Sequence, residues 1–105
     1  MNFDVIYQGV NPDKALIYMW EIYDRNDVLV GRYVARLIAG QPYRKSNPNS
    51  YRVVHKALAD AVDKNYVIKL YFLANINEGE DINQVEQTLI NQHDCKGSES
   101  WQLNG

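Results

Sequence analysis

The chain has 105 residues, enough to bury one core without disulfide or metal staples. Its 46% hydrophobic content, with eight Tyr and two Trp, excludes a disordered chain. The net charge of −2 hides a segregation: residues 32–69 carry eight basic and two acidic side chains, whereas both flanks are acidic.

Taken in order, Phe3, Val5 and Tyr7 alternate and predict a short first strand ending at Gly9 and Asn11-Pro12. Residues 15–24 are rich in Ile, Tyr and Trp and read as a strand. Arg25-Asn26-Asp27 is turn chemistry, and residues 28–34 return as the second arm of a hairpin. Leu37-Ile38-Ala39 suggests one helical turn, stopped by Gly40 and Pro42 before a polar loop over 41–49. A longer helix is expected from Pro48 or Ser50 to Lys64, with Asn47 as its cap. Its core stripe is Tyr51, Val54, Leu58, Ala61 and Val62. Residues 66–74 form a run apolar enough to be a central strand. Residues 1–14 read as an N-terminal extension with a short strand, and 15–105 as the domain. The fold class is α/β (α+β): a small sandwich of helices on a three- to four-stranded, mainly antiparallel sheet.

The last helix opens at Asp81, with Gln84 completing a capping-box pattern, and Ile82, Val85, Leu89 and Ile90 mark its inward face. Glu86 falls between them. An ionised carboxylate there costs on the order of several kcal/mol unless a cation or hydrogen-bond donors meet it. It is either a ligand to something or one half of a structural ion pair. His55 reads as a helix-surface residue or a general base near neutral pH, and His93 as a cap compatible with the helix dipole. Cys95 stands alone, which excludes an internal disulfide and a cysteine metal cage and fits a reducing cytoplasm. No apolar run approaches the roughly 20 residues of a membrane span, and no membrane partner is expected.

Leu16-Ile17-Tyr18, on the first hairpin strand, resembles the Gly-Ile-Tyr element of GIY-YIG endonucleases. Tyr33-Val34-Ala35 on the return strand is similar to their Tyr-Ile-Gly element. The helix carrying Glu86 and the closing Leu103-Asn104-Gly105 resemble the family's metal-binding glutamate and terminal asparagine. The likeness spans residues 15–105. It implies metal-assisted phosphodiester hydrolysis, in which Glu86 holds one Mg²⁺ or Mn²⁺ whose remaining shell is water and phosphate oxygen. Tyr18 or Tyr33 would orient or deprotonate the attacking water, Asn104 would give structural support, and an arginine would steady the pentavalent phosphorus.

The chain departs from the family pattern at Leu16 and Ala35, where Gly is usual, and at the arginine. Gly40 and Pro42 leave no room for the normal helix after Tyr33, and Arg36 lies too close to the strand. Arg44, in a loop, and Arg52, one turn from His55 and Lys56, are the remaining catalytic candidates. Arg32, Arg36, Arg44, Lys45, Arg52 and Lys56 form the expected nucleic-acid-binding set, with DNA favoured. Three functions stay open. One is a catalytically degenerate GIY-YIG-like protein that binds nucleic acid or a nucleic-acid-processing partner, for example a phage or mobile-element inhibitor of a defence system. The second is an active Mg²⁺-dependent endonuclease. The third is a protein-interaction module using the Tyr- and Trp-rich surface.

Overall fold

The computed structural model of the protein describes residues 2–38 and 48–104, with the side chains of residues 2 and 48–52 left aside. Strands β2 (Leu16–Tyr23) and β3 (Leu29–Leu37) pair antiparallel from Leu16↔Leu37 to Tyr23↔Leu29. Both are dense in β-branched and aromatic side chains, which suit a pleated, half-buried surface. The intervening turn is built by Asp24, whose carboxylate accepts from the backbone N–H groups of Asn26 (2.8 Å) and Val28 (3.0 Å). Asp27 closes it in the left-handed region, at φ 64°.

Strand β4 (Val67–Asn75) lies antiparallel on the other side of β2, and β1 (Asn2–Ile6) runs parallel beside β4. The sheet order is β1-β4-β2-β3, so β4 is interior, as its continuous apolar character predicts. The short strand within residues 1–14 is hydrogen-bonded into this same sheet. Helix α1 (Pro48–Asp63) packs on one face and α2 (Ile82–Gln92) on the other. The protein is a small α+β domain: a four-stranded mixed, mostly antiparallel sheet carrying two helices. Among the described residues no helix is long and apolar enough to cross a membrane.

Each face has its own core. Ile17, Met19 and Val34 pack with Ile90 and Cys95 under α2. Ile22 and Ile68 pack with Ala61 under α1, flanked by Trp20, Ala57, Leu58 and Tyr66. Strand alternation produces this division, since odd positions 17, 19 and 21 face α2 and even positions 18, 20 and 22 face α1.

Three sequence expectations change. Leu37 is the last residue of β3, not part of a helical turn, because it pairs with Leu16 at the end of the ladder. Val62 is 47% exposed, and Ala57 takes its place in the stripe with Val54, Leu58 and Ala61. Asp81 does cap α2, but its carboxylate accepts from the Asn83 N–H (2.9 Å) instead of completing the pattern through Gln84. The expected cap Asn47, together with Ala39, Gly40 and Pro42, lies outside the described residues.

Both helices end alike. Asn65 (φ 59°) and Asp94 (φ 55°) adopt the left-handed conformation just past α1 and α2. Tyr66 N–H then reaches back to Ala61 O (2.8 Å), and Cys95 N–H to Ile90 O (3.0 Å). Each is a Schellman closure made with Asn or Asp where Gly is commoner.

Candidate functional site

The hairpin register Tyr18↔Ala35 and Trp20↔Tyr33 puts Tyr18 and Tyr33 on one sheet face as diagonal neighbours. That face is also lined by Trp20 and, across β4, by Phe72 opposite Tyr18 and Leu70 opposite Trp20. Phe3 and Tyr7 continue it at the β1 side: the Phe3 ring lies 5.8 Å from Trp20, and Tyr7 meets Phe72 edge-on at 5.0 Å. This is the α1 side of the sheet. His55 and Lys56 are exposed on α1 itself.

Glu86 sits half-buried on α2, between Ile82 and Ile90 as its spacing requires. Because α2 packs against Ile17, Met19 and Val34, Glu86 belongs to the layer opposite the two tyrosines. The fold thus brings Tyr18 and Tyr33 together on one face and sets the Glu86 helix on the other. Tyr18, Tyr33, His55 and Glu86 are each engaged with a neighbour. Arg36 projects to the α2 side and donates to Asn83 Oδ1, one turn before Glu86. Arg44 and Lys45 lie outside the described residues, as does the side chain of Arg52.

Arg32, expected among the phosphate-facing cations, has its guanidinium committed elsewhere. It opposes Glu21 across the hairpin, with Nε donating to Oε2 at 2.7 Å and Nη2 at 2.6 Å. Nη1 donates to His93 O at the C-terminus of α2 (2.8 Å), and the guanidinium lies 5.4 Å from the centre of the Trp101 ring. Glu21 is only 4% exposed, so such a charge persists only if it is paired and hydrogen-bonded. Tyr23 supplies a further bond, its hydroxyl donating to Oε1 at 2.9 Å. Burial, and then the Glu21 carboxylate, push the Tyr23 phenol up to about 12. Burial followed by the Glu21 charge also raises Tyr71. Burial alone leads in raising the neighbouring Cys95 thiol to about 11, the protonated and unreactive form at neutral pH.

The C-terminal segment closes the outer edge of β3. Trp101 O accepts from Arg32 N–H (2.8 Å), and Leu103 N–H donates to Arg32 O (3.1 Å). The Asn104 side chain then reads Val34 like a strand partner, its Oδ1 accepting from Val34 N–H (2.8 Å) and its Nδ2 donating to Val34 O (2.7 Å). Asn75 performs the same double reading on Asn11 at the other end of the sheet. The Asn104 side chain is thus bonded to β3 through both its oxygen and its nitrogen.

In comparisons with family models, curated proteins and solved structures, nothing matches. A reading of function therefore rests on the groups themselves.

Among the described residues no three His, Cys, Asp or Glu side chains gather into a metal-binding cluster. What Glu86 can offer a divalent ion is one carboxylate, a coordination that suits Mg²⁺ with a shell completed by water and phosphate oxygen. The buried pair Glu21–Arg32 escaped the reading of the sequence. Its signal was present: a lone acid inside the apolar run LIYMWEIY, opposite an arginine once the hairpin is set in register.

Proposed function

We propose that this chain is a divergent GIY-YIG-like protein that acts by binding nucleic acid, or a nucleic-acid-processing partner, and has given up turnover. A phage or mobile-element inhibitor of a defence system is one such role. The observation that carries the reading is the division of labour on β3. Tyr33 joins Tyr18 on the aromatic face, while Arg32 and Arg36, the arginines nearest it in sequence, serve the opposite face through Glu21 and Asn83. Phosphoryl-transfer chemistry needs a preorganised cation at the phosphorus, and neither of these two is free for that task. The exposed aromatic side chains Phe3 and Tyr7 at the β1 side of that face suit the flat surfaces of bases, and the basic middle third of the chain suits phosphate.

The test is a cleavage assay on plasmid and single-stranded DNA with Mg²⁺ or Mn²⁺, alongside binding measured at several salt concentrations. Salt-dependent binding without cleavage is the expected result. Metal-dependent nicking by the wild type that disappears in Glu86→Ala would overturn the degenerate reading and establish an active endonuclease. Absence of nucleic-acid binding at low salt would leave the protein-interaction role in its place.

A further inference from the structure

We propose that the open cleft between α1, β3 and the C-terminal segment is a binding site for a small amphipathic monoanion: an apolar body ending in a carboxylate. This proposal is independent of the nuclease-like reading. The cleft has a volume of about 410 Å³, within the roughly 300–1,000 Å³ of small-molecule sites. Its apolar lining is mostly aliphatic, with Ile22, Val30, Val53 and Leu103 joined by the Tyr66 ring. Gly31 allows this lining to close, because a Cβ there would lie 3.2 Å from both Ile22 Cδ1 and Leu103 Cδ1. Val30 and Val53 remain 37% and 50% exposed, apolar surface left open to water inside a concave site.

The rim sets the charge. Lys56 and Asp60 on α1 and Lys64 just past its end follow one another at four-residue spacing, all exposed and all lining the cleft. Two ammonium groups against one carboxylate leave a single positive charge, which one carboxylate on a ligand neutralises. The Tyr66 ring also lines the cleft, with the Lys64 ammonium 5.8 Å from its centre.

The experiment is an NMR titration of the isotope-labelled full chain with decanoate, and with decanol as the same body without the charge. Decanoate is expected to shift the Val30, Val53, Ser100 and Leu103 signals saturably, with a Kd below about 1 mM. Lys56→Ala or Lys64→Ala should weaken it about two- to five-fold each, the worth of one exposed ion pair. Val53→Glu, at a half-exposed position that folding tolerates, should weaken it roughly tenfold by removing apolar contact and adding like charge. The proposal is overturned if decanoate produces no saturable shifts, if the shifts map to another surface, if decanol binds as tightly, or if Val53→Glu binds decanoate like the wild type.

Discussion

Glu21 and Arg32 form an ion pair across the hairpin, 2.6 Å at its shortest, with the carboxylate buried and the guanidinium partly buried; the guanidinium also ties down the end of α2 and lies over Trp101. One side chain therefore joins four parts of the chain: β2, β3, the α2 C-terminus and the C-terminal segment. Removing the guanidinium strands the Glu21 carboxylate in a site that water reaches poorly. Arg32→Met, which leaves the buried Glu21 carboxylate uncompensated, should lower stability by about 3–5 kcal/mol in urea denaturation, and Glu21→Gln by less, because the Arg32 side chain is 22% exposed. The double replacement Glu21→Met with Arg32→Met should recover a large part of that loss, because it leaves no uncompensated charge. Equal, additive losses in the single and double variants would show that the pair acts as two independent contacts.

Asn104 replaces a missing strand. Its amide satisfies both the N–H and the C=O of Val34 on the outer edge of β3, groups that would otherwise stand open to pairing by another chain. Asn104→Ala should cost about 1–3 kcal/mol and speed hydrogen exchange at the Val34 amide. Asn104→Asp should be nearly as damaging, since a carboxylate accepts from the N–H but cannot donate to the carbonyl. Unchanged Val34 exchange in either variant would show that the Asn104 amide does not hold this edge.

How far the sequence could be read follows from what kind of signal each feature leaves. Periodicity revealed the hairpin, the interior strand and both helices, because burial imposes a period of 2 or 3.6 on apolar residues. Asn65 and Asp94 were not read as helix stops, since the left-handed cap usually announces itself as Gly and here does not. The face of each tyrosine required the register of the hairpin, and a slip of one residue would have exchanged the two faces. Tyr18 and Tyr33 could be paired by spacing along two neighbouring strands. The side of the sheet taken by Glu86 could not, because helix placement depends on contacts distant in sequence.

The left-handed caps give a stability prediction of opposite signs. Asn65→Gly should stabilise the protein by up to about 1 kcal/mol, since glycine adopts φ 59° without a Cβ clash. Asn65→Val should destabilise it by about 1–2 kcal/mol at the same backbone position. Thermal melts of the two variants check this. Equal melting temperatures would mean that α1 does not end in the closed form described.

Alkaline pH should destabilise the fold. Folding raises the Tyr23 phenol from 10.0 to about 12 and the Cys95 thiol from 9.0 to about 11, burial being the leading cause for both. A group with a higher pKa in the folded state holds its proton longer there, so the native state binds more protons in the intervening range. The corresponding stability is fully present below about pH 9 and is lost as pH rises from about 9 to about 12. Urea midpoints measured across that range should fall steadily, and Tyr23→Phe should flatten the upper part of the fall. A midpoint constant to about pH 12 would contradict the placement of both groups.

The binding reading separates cations that face solvent from one that does not. Lys56 is exposed on α1, on the aromatic side of the sheet, whereas the Arg32 guanidinium is held by Glu21, His93 O and Trp101. If nucleic acid is the partner, Lys56→Ala should weaken binding about equally for all sequences and reduce the salt slope by about 0.7–0.9, the loss of one phosphate contact. Arg32→Lys, which keeps a charge near Glu21, should leave that slope unchanged while lowering stability, because its work is internal. Tyr7→Ala and Phe3→Ala, at exposed aromatic positions on the same face, should weaken single-stranded ligands by about 1–3 kcal/mol per lost stack and duplex far less. Should Arg32→Lys alter the salt slope and Lys56→Ala leave it untouched, the ligand contacts the α2 side of the sheet, and the assignment of the aromatic face is wrong.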